Sequence, residues 1–321
     1  MAPLPEFPME TLAVVLQEPK QLGLQRLDLP APGDADIVVD VEWSGISTGT
    51  ERLLWSGRMP HFPGMGYPLV PGYESVGRVS WAGPSTKIRV GERVFVPGAN
   101  CYGAVRGLFG GTASRVVLPE SRAIPIDEAL GEKGILFALA ATGYHAAFSD
   151  KGVAADLIVG HGVLGRLIAR IVIASGAPAP VVWEKNAGRF GGSTGYHVID
   201  PDQDPRRDYR VVCDVSGDSS ILDALVSRLA PGGEIILAGF YADRLSFSFP
   251  PAFMKEVRMR VAAQWQKADI VAVKQLVDSG RLSFDDLITH RSTAEGAPGA
   301  YRTAFEDPAC LKMVLDWRSC A

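Results

Sequence analysis

Six residues constrain this chain more than any other stretch. Gly160-His161-Gly162-Val163-Leu164-Gly165 follows an apolar strand pattern, Leu157-Ile158-Val159, and opens an apolar helix pattern, Leu164 to Ala174. In a chain with 35 glycines the spacing alone says little. Its context says more: a second strand, Val181-Val182-Trp183, ends at Glu184, about the ~20-residue offset at which an acidic residue meets a dinucleotide's ribose. Each part has a physical reason. Gly160 permits the tight turn, Gly162 lets backbone approach a pyrophosphate, and Gly165 allows close packing of helix on strand. With Val163 and Leu164 they form the helix N-terminus, whose free N–H groups and partial positive charge suit phosphate. Glu184 can accept from both ribose hydroxyls and repels a 2′-phosphate. Lys185 and Arg189 pull the other way, but a carboxylate at the strand end outweighs them and favours NAD. The bland alternative is a glycine-rich turn that holds nothing.

The motif sits in an alternating region. After the two strands come His197-Val198-Ile199, Val211-Val212-Cys213, a helix pattern from Ile221 to Leu229, and strands at Glu234–Ala238 and Met259–Ala263. Strands alternating with helices imply a doubly wound parallel sheet with helices on both faces. Glu132 to Phe148, rich in Ala and Leu, reads as the helix that introduces it. Before it, from Thr11 to about Ala123, short β-branched runs are punctuated by Gly and Pro. Beyond it, Ala268 to Ser279 reads as an amphipathic helix, and Leu311 to Trp317 as a returning strand.

Composition removes several function classes. A net charge of -4 argues against nucleic-acid or polybasic membrane binding. No apolar run reaches the ~20 residues of a transmembrane helix. Cys101, Cys213, Cys310 and Cys320 form no C-x-x-C pair, so neither a disulfide framework nor a cysteine zinc site is signalled, and the cytoplasm is the simplest compartment. The proline-rich stretch before Met9 reads as a leader outside the fold.

The residues from Met9 onward resemble the medium-chain dehydrogenase/reductase family. That resemblance implies an α/β chain in which a GroES-like, β-rich catalytic domain is interrupted by a Rossmann NAD-binding domain. The boundaries expected are 1–139, 140–266 and a return over 267–321. In zinc members a cysteine follows a Gly-Ile or Gly-Val pair; here Ser44-Gly45-Ile46-Ser47-Thr48-Gly49-Thr50-Glu51 puts Ser47 at the ligand position. The family's Gly-His-Glu becomes Gly72-Tyr73-Glu74, and the third ligand falls at about Ala138, ahead of Thr142-Gly143. The four-cysteine zinc loop is reduced to Cys101. The segment 188–195 (GRFGGSTG) lies where the family has a helix, yet it has poor helix propensity.

Longer motifs narrow the resemblance: Ser44 to Glu51, the segment 62–74 (FPGMGYPLVPGYE), 94–99 (VFVPGA) and 251–256 (PAFMKE). They resemble a zinc-free branch that oxidises the 1-hydroxyethyl group of a tetrapyrrole to acetyl in bacteriochlorophyll synthesis. The branch implies a tetrapyrrole substrate, no metal and a possible homodimer. It places Ser47, Thr48, Tyr73 and Glu74 around the vacated metal site. Ser47 and Tyr73 read either as hydrogen-bonding groups for the alcohol oxygen or as a polar filling. Glu74 reads as a base or as a structural carboxylate, and Glu51 likewise with less weight. Thr142, Lys185 and Gly239-Phe240-Tyr241 fall at expected cofactor contacts, and His161, within the phosphate turn, either packs or contacts cofactor. Trp55, Phe62 and Tyr67, with His61, suggest a large pocket wall, or equally a packed turn. A zinc-free quinone or enone reductase, and a non-catalytic NAD- and pigment-binding protein, are the alternatives.

Overall fold

The computed structural model describes residues 9–241 and 243–320, so the expected leader lies outside the described residues. Three long strands come first: β1 (Met9–Glu18), β2 (Gln21–Leu29) and β3 (Asp36–Ile46). Helix α1 (Thr50–Ser56) and strands β4 (Leu69–Val70), β5 (Ser75–Ala82), β6 (Arg93–Val96), β7 (Arg106–Gly107), β8 (Arg115–Pro119) and β9 (Ile124–Pro125) follow. Then come α2 (Phe137–Ala146), β10 (Leu157–Val159), α3 (Val163–Ala174), β11 (Val181–Trp183), β12 (His197–Ile199), β13 (Tyr209–Asp214) and α4 (Leu222–Arg228). Next are β14 (Leu229–Leu237), α5 (Phe249–Met254), β15 (Arg258–Val261) and α6 (Lys267–Asp278). The chain closes with β16 (His290–Thr293), α7 (Ala297–Glu306) and β17 (Met313–Asp316).

Two compact units result, divided after Leu136 and again after Asp286. The first division lies close to the expected one, although helix begins only at Phe137. Residues 128–136 are 3-10 turns, broken at Gly131 with φ +48°. The second corrects the expected return at residue 267. Helix α6 belongs with the alternating region, where it packs on α2 and buries Ile270, Val273 and Leu276. An amphipathic stripe announces that a helix is packed but not against which core.

The β-rich unit holds a four-stranded sheet, β2-β1-β4-β7, and a larger one in the order β16-β17-β3-β5-β6-β9, with β8 also paired to β3. Strand β3 is covered on both faces near its start: Ile37, Val38, Val39 and Val41 are 2% exposed or less. The expected returning strand is β17, antiparallel to β3 with Met313 opposite Ile46. That register brings Lys312 to the end of β3, where Ser47 follows. Trp317 seals the pairing, fully buried, with Nε1–H donating to Ser44 Oγ at 2.8 Å.

The second unit is the expected parallel sheet, ordered β12-β11-β10-β13-β14-β15. Its strand order reverses beside β10, so the crevice for a ligand opens at the carboxyl ends of β10 and β13. Helix α3 packs through Leu167, Ile168, Ile171 and Val172. Gly143 lets α2 approach it closely: a Cβ there would lie 3.3 Å from Ile168 and Ile171. Between β11 and β12 the connection holds only a 3-10 turn, Ala187–Arg189. The glycines of that stretch forgo helix, as their propensity predicts.

Candidate functional site

In the second unit, Gly160 leaves β10 with φ +105°, a region costly for any residue with a side chain. Around Gly162 nothing lies within 4 Å of a notional Cβ, so the backbone faces open space. At Gly165 a side chain would strike the Gly160 carbonyl. Gly162 caps α3 without a side-chain hydrogen bond, which leaves first-turn N–H groups for an anion. These three roles match the cradle that a dinucleotide pyrophosphate requires. Val163 is buried and Leu164 half-buried behind it.

Glu184 is held toward this turn from both sides. Its Oε2 accepts from His161 N–H at 3.1 Å and its Oε1 from Asn186 N–H at 2.8 Å. A carboxylate has about four acceptor sites, so lone pairs remain for ribose hydroxyls. Lys185 is exposed beside it. The His161 side chain packs within the protein. Its ring is fully buried, bound through Nδ1 to the Arg189 carbonyl at 2.6 Å and through Nε2 to the Tyr196 hydroxyl at 2.9 Å. Burial holds its pKa down at about 4.

Of the other expected contacts, Thr142 lies in α2 and Gly239-Phe240-Tyr241 follow β14. Thr142 is half-buried and donates its hydroxyl proton to the Ala138 carbonyl at 3.0 Å. Gly239 N–H donates to the Asp214 carbonyl at 3.0 Å, Phe240 is 47% exposed, and the Tyr241 hydroxyl donates to Asp214 Oδ2 at 2.7 Å. Asp214 itself was not singled out in the sequence. Fully buried, it also accepts from Ser216 N–H at 2.9 Å, and burial raises its carboxyl above the usual range. The signal was an acid closing the apolar run Val211-Val212-Cys213.

In the β-rich unit, Ser47 at the end of β3 meets Tyr73, their hydroxyl oxygens 2.6 Å apart. Burial and the nearby Glu74 push the Tyr73 phenol above its ordinary pKa, so it stays protonated. The Tyr73 ring stands edge-on to Phe109, centroids 5.4 Å apart, a contact that no motif announced. Thr48, next along, is half-buried.

Glu74 is committed to an ion pair. It is fully buried and paired with Lys312, itself 1% exposed. The Lys312 ammonium also donates to the Ile46 carbonyl at 3.2 Å. Burial pushes the Glu74 carboxyl up and Lys312 pulls it back, with the net direction upward. No hydrogen bond joins either carboxylate oxygen to Tyr73 or Ser47. The pair also fixes Gly45: a Cβ there would strike the Glu74 carboxylate and lie 2.9 Å from Ile135.

The second carboxylate is Glu51, 1% exposed. It accepts from Ser47 N–H at 3.0 Å and from the Tyr301 hydroxyl at 2.7 Å. Loss of water raises its pKa to about 7, more than Tyr301, the Ser47 N–H and Lys312 offset. Tyr301 and Lys312 were missed in the sequence because both lie about 250 residues beyond β3; only the pairing of β17 brings Lys312 to it.

Three of the expected pocket residues join one packed cluster. Trp55, Phe62 and Tyr67 are half-buried around Leu16, Leu54 and Leu69. The Tyr67 hydroxyl donates to the Leu54 carbonyl at 2.6 Å, and Trp55 meets Phe305 at 5.5 Å. His61 is exposed. Among the described residues no three His, Cys, Asp or Glu side chains gather as metal ligands. Ala138 is buried within α2, and burial raises the Cys101 thiol to about 11.

Comparison with known proteins agrees with this fold. Residues 33–128 match the alcohol dehydrogenase GroES-like domain. The chain is 56% identical over 318 residues to the 2-desacetyl-2-hydroxyethyl bacteriochlorophyllide A dehydrogenase of Cereibacter sphaeroides, covering 98% of this chain and all of that one. The protein of the same name from Rhodobacter capsulatus is 55% identical, over 97% of this chain and 99% of its own. An alcohol dehydrogenase from E. coli CFT073, complexed with NADH, shares the fold with a TM-score of 0.81. It is 21% identical and matches 96% of this chain and 99% of its own.

Proposed function

The chain belongs to the 2-desacetyl-2-hydroxyethyl bacteriochlorophyllide A dehydrogenase family of medium-chain dehydrogenases, and on that premise we propose that it oxidises the hydroxyethyl group of a bacteriochlorophyllide to acetyl, using NAD and no metal. Near-full-length identity of 56% carries the substrate. The open cradle at Gly162 and the oriented carboxylate of Glu184 support NAD.

Bound NAD supplies the acceptor for the hydride that leaves the carbinol carbon. Backbone from Gly160 to Gly165 holds the pyrophosphate, and Glu184 holds the adenosine ribose. Ser47 and Tyr73 hold the alcohol oxygen through their paired hydroxyls and pass its proton to water. Neither is a final base near neutral pH. With Glu74 committed to Lys312, water is the simpler recipient. In zinc members a metal polarises that oxygen, an effect worth roughly several kcal/mol. Here the conjugated macrocycle delocalises the charge that develops as hydride departs, so two hydroxyls suffice.

Metal independence rests on Ser47, Tyr73 and Ala138 at the three ligand positions. Chelators should leave the rate unchanged, and elemental analysis should find less than one zinc per chain; an activity-linked zinc overturns it. Purified protein with hydroxyethyl pigment and NAD should shift the red absorbance band as NADH forms. Quinone-dependent NADPH loss, or binding without turnover, overturns the dehydrogenase reading.

The same reading places the protein in the cytoplasm, as a homodimer. Its four cysteines are free, and no described helix is long and apolar enough to cross a membrane. Support for the dimer comes from β15, the last strand of its sheet. Beside it Phe249, Phe253, Met254 and Val261 are 65%, 64%, 77% and 73% exposed. Phe249, Phe253 and Met254 border an apolar groove of about 660 Å³. An open edge beside such a patch invites a second copy. Light scattering on the purified protein should return twice the chain mass; a monomer at micromolar concentration overturns the dimer.

A further inference from the structure

We infer that His161, Tyr196 and Arg166 form a knot that positions the adenosine end of NAD, by fixing the 187–195 loop where a helix would otherwise stand. This inference rests on the NAD reading.

The loop's own sequence does little to fix it. Between its single 3-10 turn and β12 lie Gly191, Gly192, Ser193, Thr194 and Gly195, all exposed. Such a glycine-rich run has much conformational freedom to lose. Without fixed contacts it makes a poor wall for a ligand.

The fixed contacts come from the turn that leads into α3 and from the helix's first turn. His161 Nδ1–H donates to the Arg189 carbonyl at 2.6 Å, which leaves Nε2 to accept the Tyr196 hydroxyl at 2.9 Å. Arg166 donates through Nε to the His161 carbonyl and through Nη2 to the Arg189 carbonyl, both at 3.1 Å. Its guanidinium lies under Gly192, where φ is +78° and any side chain would collide with it. Both ends of the loop are thereby pinned, at 189 and at 196. His161 is fully buried and Arg166 5% exposed, so these bonds do not compete with water. With the imidazole pKa held down at about 4, the ring stays neutral in one tautomer through the physiological range.

The knot is continuous with the ribose carboxylate. His161 N–H donates to Glu184 Oε2 and Asn186 N–H to Glu184 Oε1; Asn186 Oδ1 then caps the 3-10 turn by accepting from Gly188 N–H at 3.0 Å. One chain of hydrogen bonds therefore runs from Glu184 through His161 to the loop. His161 is a positioning residue: its buried ring is committed to Arg189 and Tyr196, and its backbone N–H to Glu184.

The test uses the full chain, with NADH, ADP-ribose and nicotinamide mononucleotide as ligands. His161→Leu removes both ring bonds at similar volume. It should weaken NADH and ADP-ribose roughly ten-fold, the scale of one or two lost hydrogen bonds. Mononucleotide affinity and the pigment KM should not move. His161→Gln, which can donate and accept, should recover most of the loss. Tyr196→Phe removes one hydroxyl and carries the test if His161→Leu does not fold; its loss should be smaller but confined to the same two ligands. Unchanged ADP-ribose affinity in a folded variant, or equal losses for ADP-ribose and mononucleotide, overturns the inference. If the unmodified protein fails to bind NADH, the cofactor reading falls and takes this one with it.

Discussion

Glu51→Gln isolates one buried charge and makes its energy measurable. In the folded chain the Glu51 carboxyl titrates at about 7 against an ordinary 4.5, because burial removes water faster than its partners replace it. A folded pKa above the unfolded one means that the folded state binds the proton more tightly. The stabilisation is complete below the unfolded pKa and is lost as pH rises through the folded one. A gap of about 2.5 units at ~1.4 kcal/mol each gives about 3.5 kcal/mol, lost mostly between pH 5 and 8. The glutamine side chain does not titrate. Its carbonyl oxygen can still accept from Ser47 N–H, and its amide can donate to the Tyr301 oxygen. Urea unfolding of both proteins from pH 5 to 9 therefore yields a difference in which every other group cancels. The difference should move by about 3 kcal/mol in favour of the variant at the alkaline end. A difference that stays flat across that range refutes the reasoning, because Glu51 would then titrate alike folded and unfolded.

Three further substitutions follow from the same geometry. Lys312→Met strands the Glu74 carboxylate in the core and should cost about 3–5 kcal/mol in urea unfolding, with much of it recovered by Glu74→Gln in the same chain. Glu184→Ala removes the charge that repels a 2′-phosphate, so the NAD-to-NADP ratio of kcat/KM should narrow; an unchanged ratio argues against Glu184 as the ribose ligand. Ser47→Ala and Tyr73→Phe should each lower turnover by about 10²-fold or more while NADH affinity holds. Near-normal rates in both would end the hydroxyl relay.

Local pattern made the second unit legible. Strand β10, the Gly160–Gly165 turn and α3 are contiguous, and each glycine's role is set by atoms a few residues away. The absent helix at 188–195 was also readable, since four glycines disfavour it locally. What the sequence hid was the use made of that loop: His161 and Arg166 reach it only because the turn of α3 faces it in three dimensions. The β-rich unit hid more. Ser47 and Tyr73 were visible as departures from a ligand pattern, but the partners that decide the fate of the carboxylates were not. Lys312 and Tyr301 arrive from the far end of the chain, and nothing local marks either as a neighbour of Glu74 or Glu51. The boundary misplaced at 267 has the same origin, because the apolar stripe of α6 does not name its partner helix.

The central claim is hydride transfer from the carbinol carbon of a pigment to NAD, and a deuterium label tests it most directly. Hydroxyethyl bacteriochlorophyllide bearing deuterium at that carbon should be incubated with the purified protein and NAD, and both products analysed by mass spectrometry. The account predicts one deuterium at C4 of the NADH formed for each acetyl pigment released, with the unlabelled pigment reacting faster. Acetyl pigment whose deuterium appears in water rather than in NADH, or NADH formed without acetyl pigment, would contradict it.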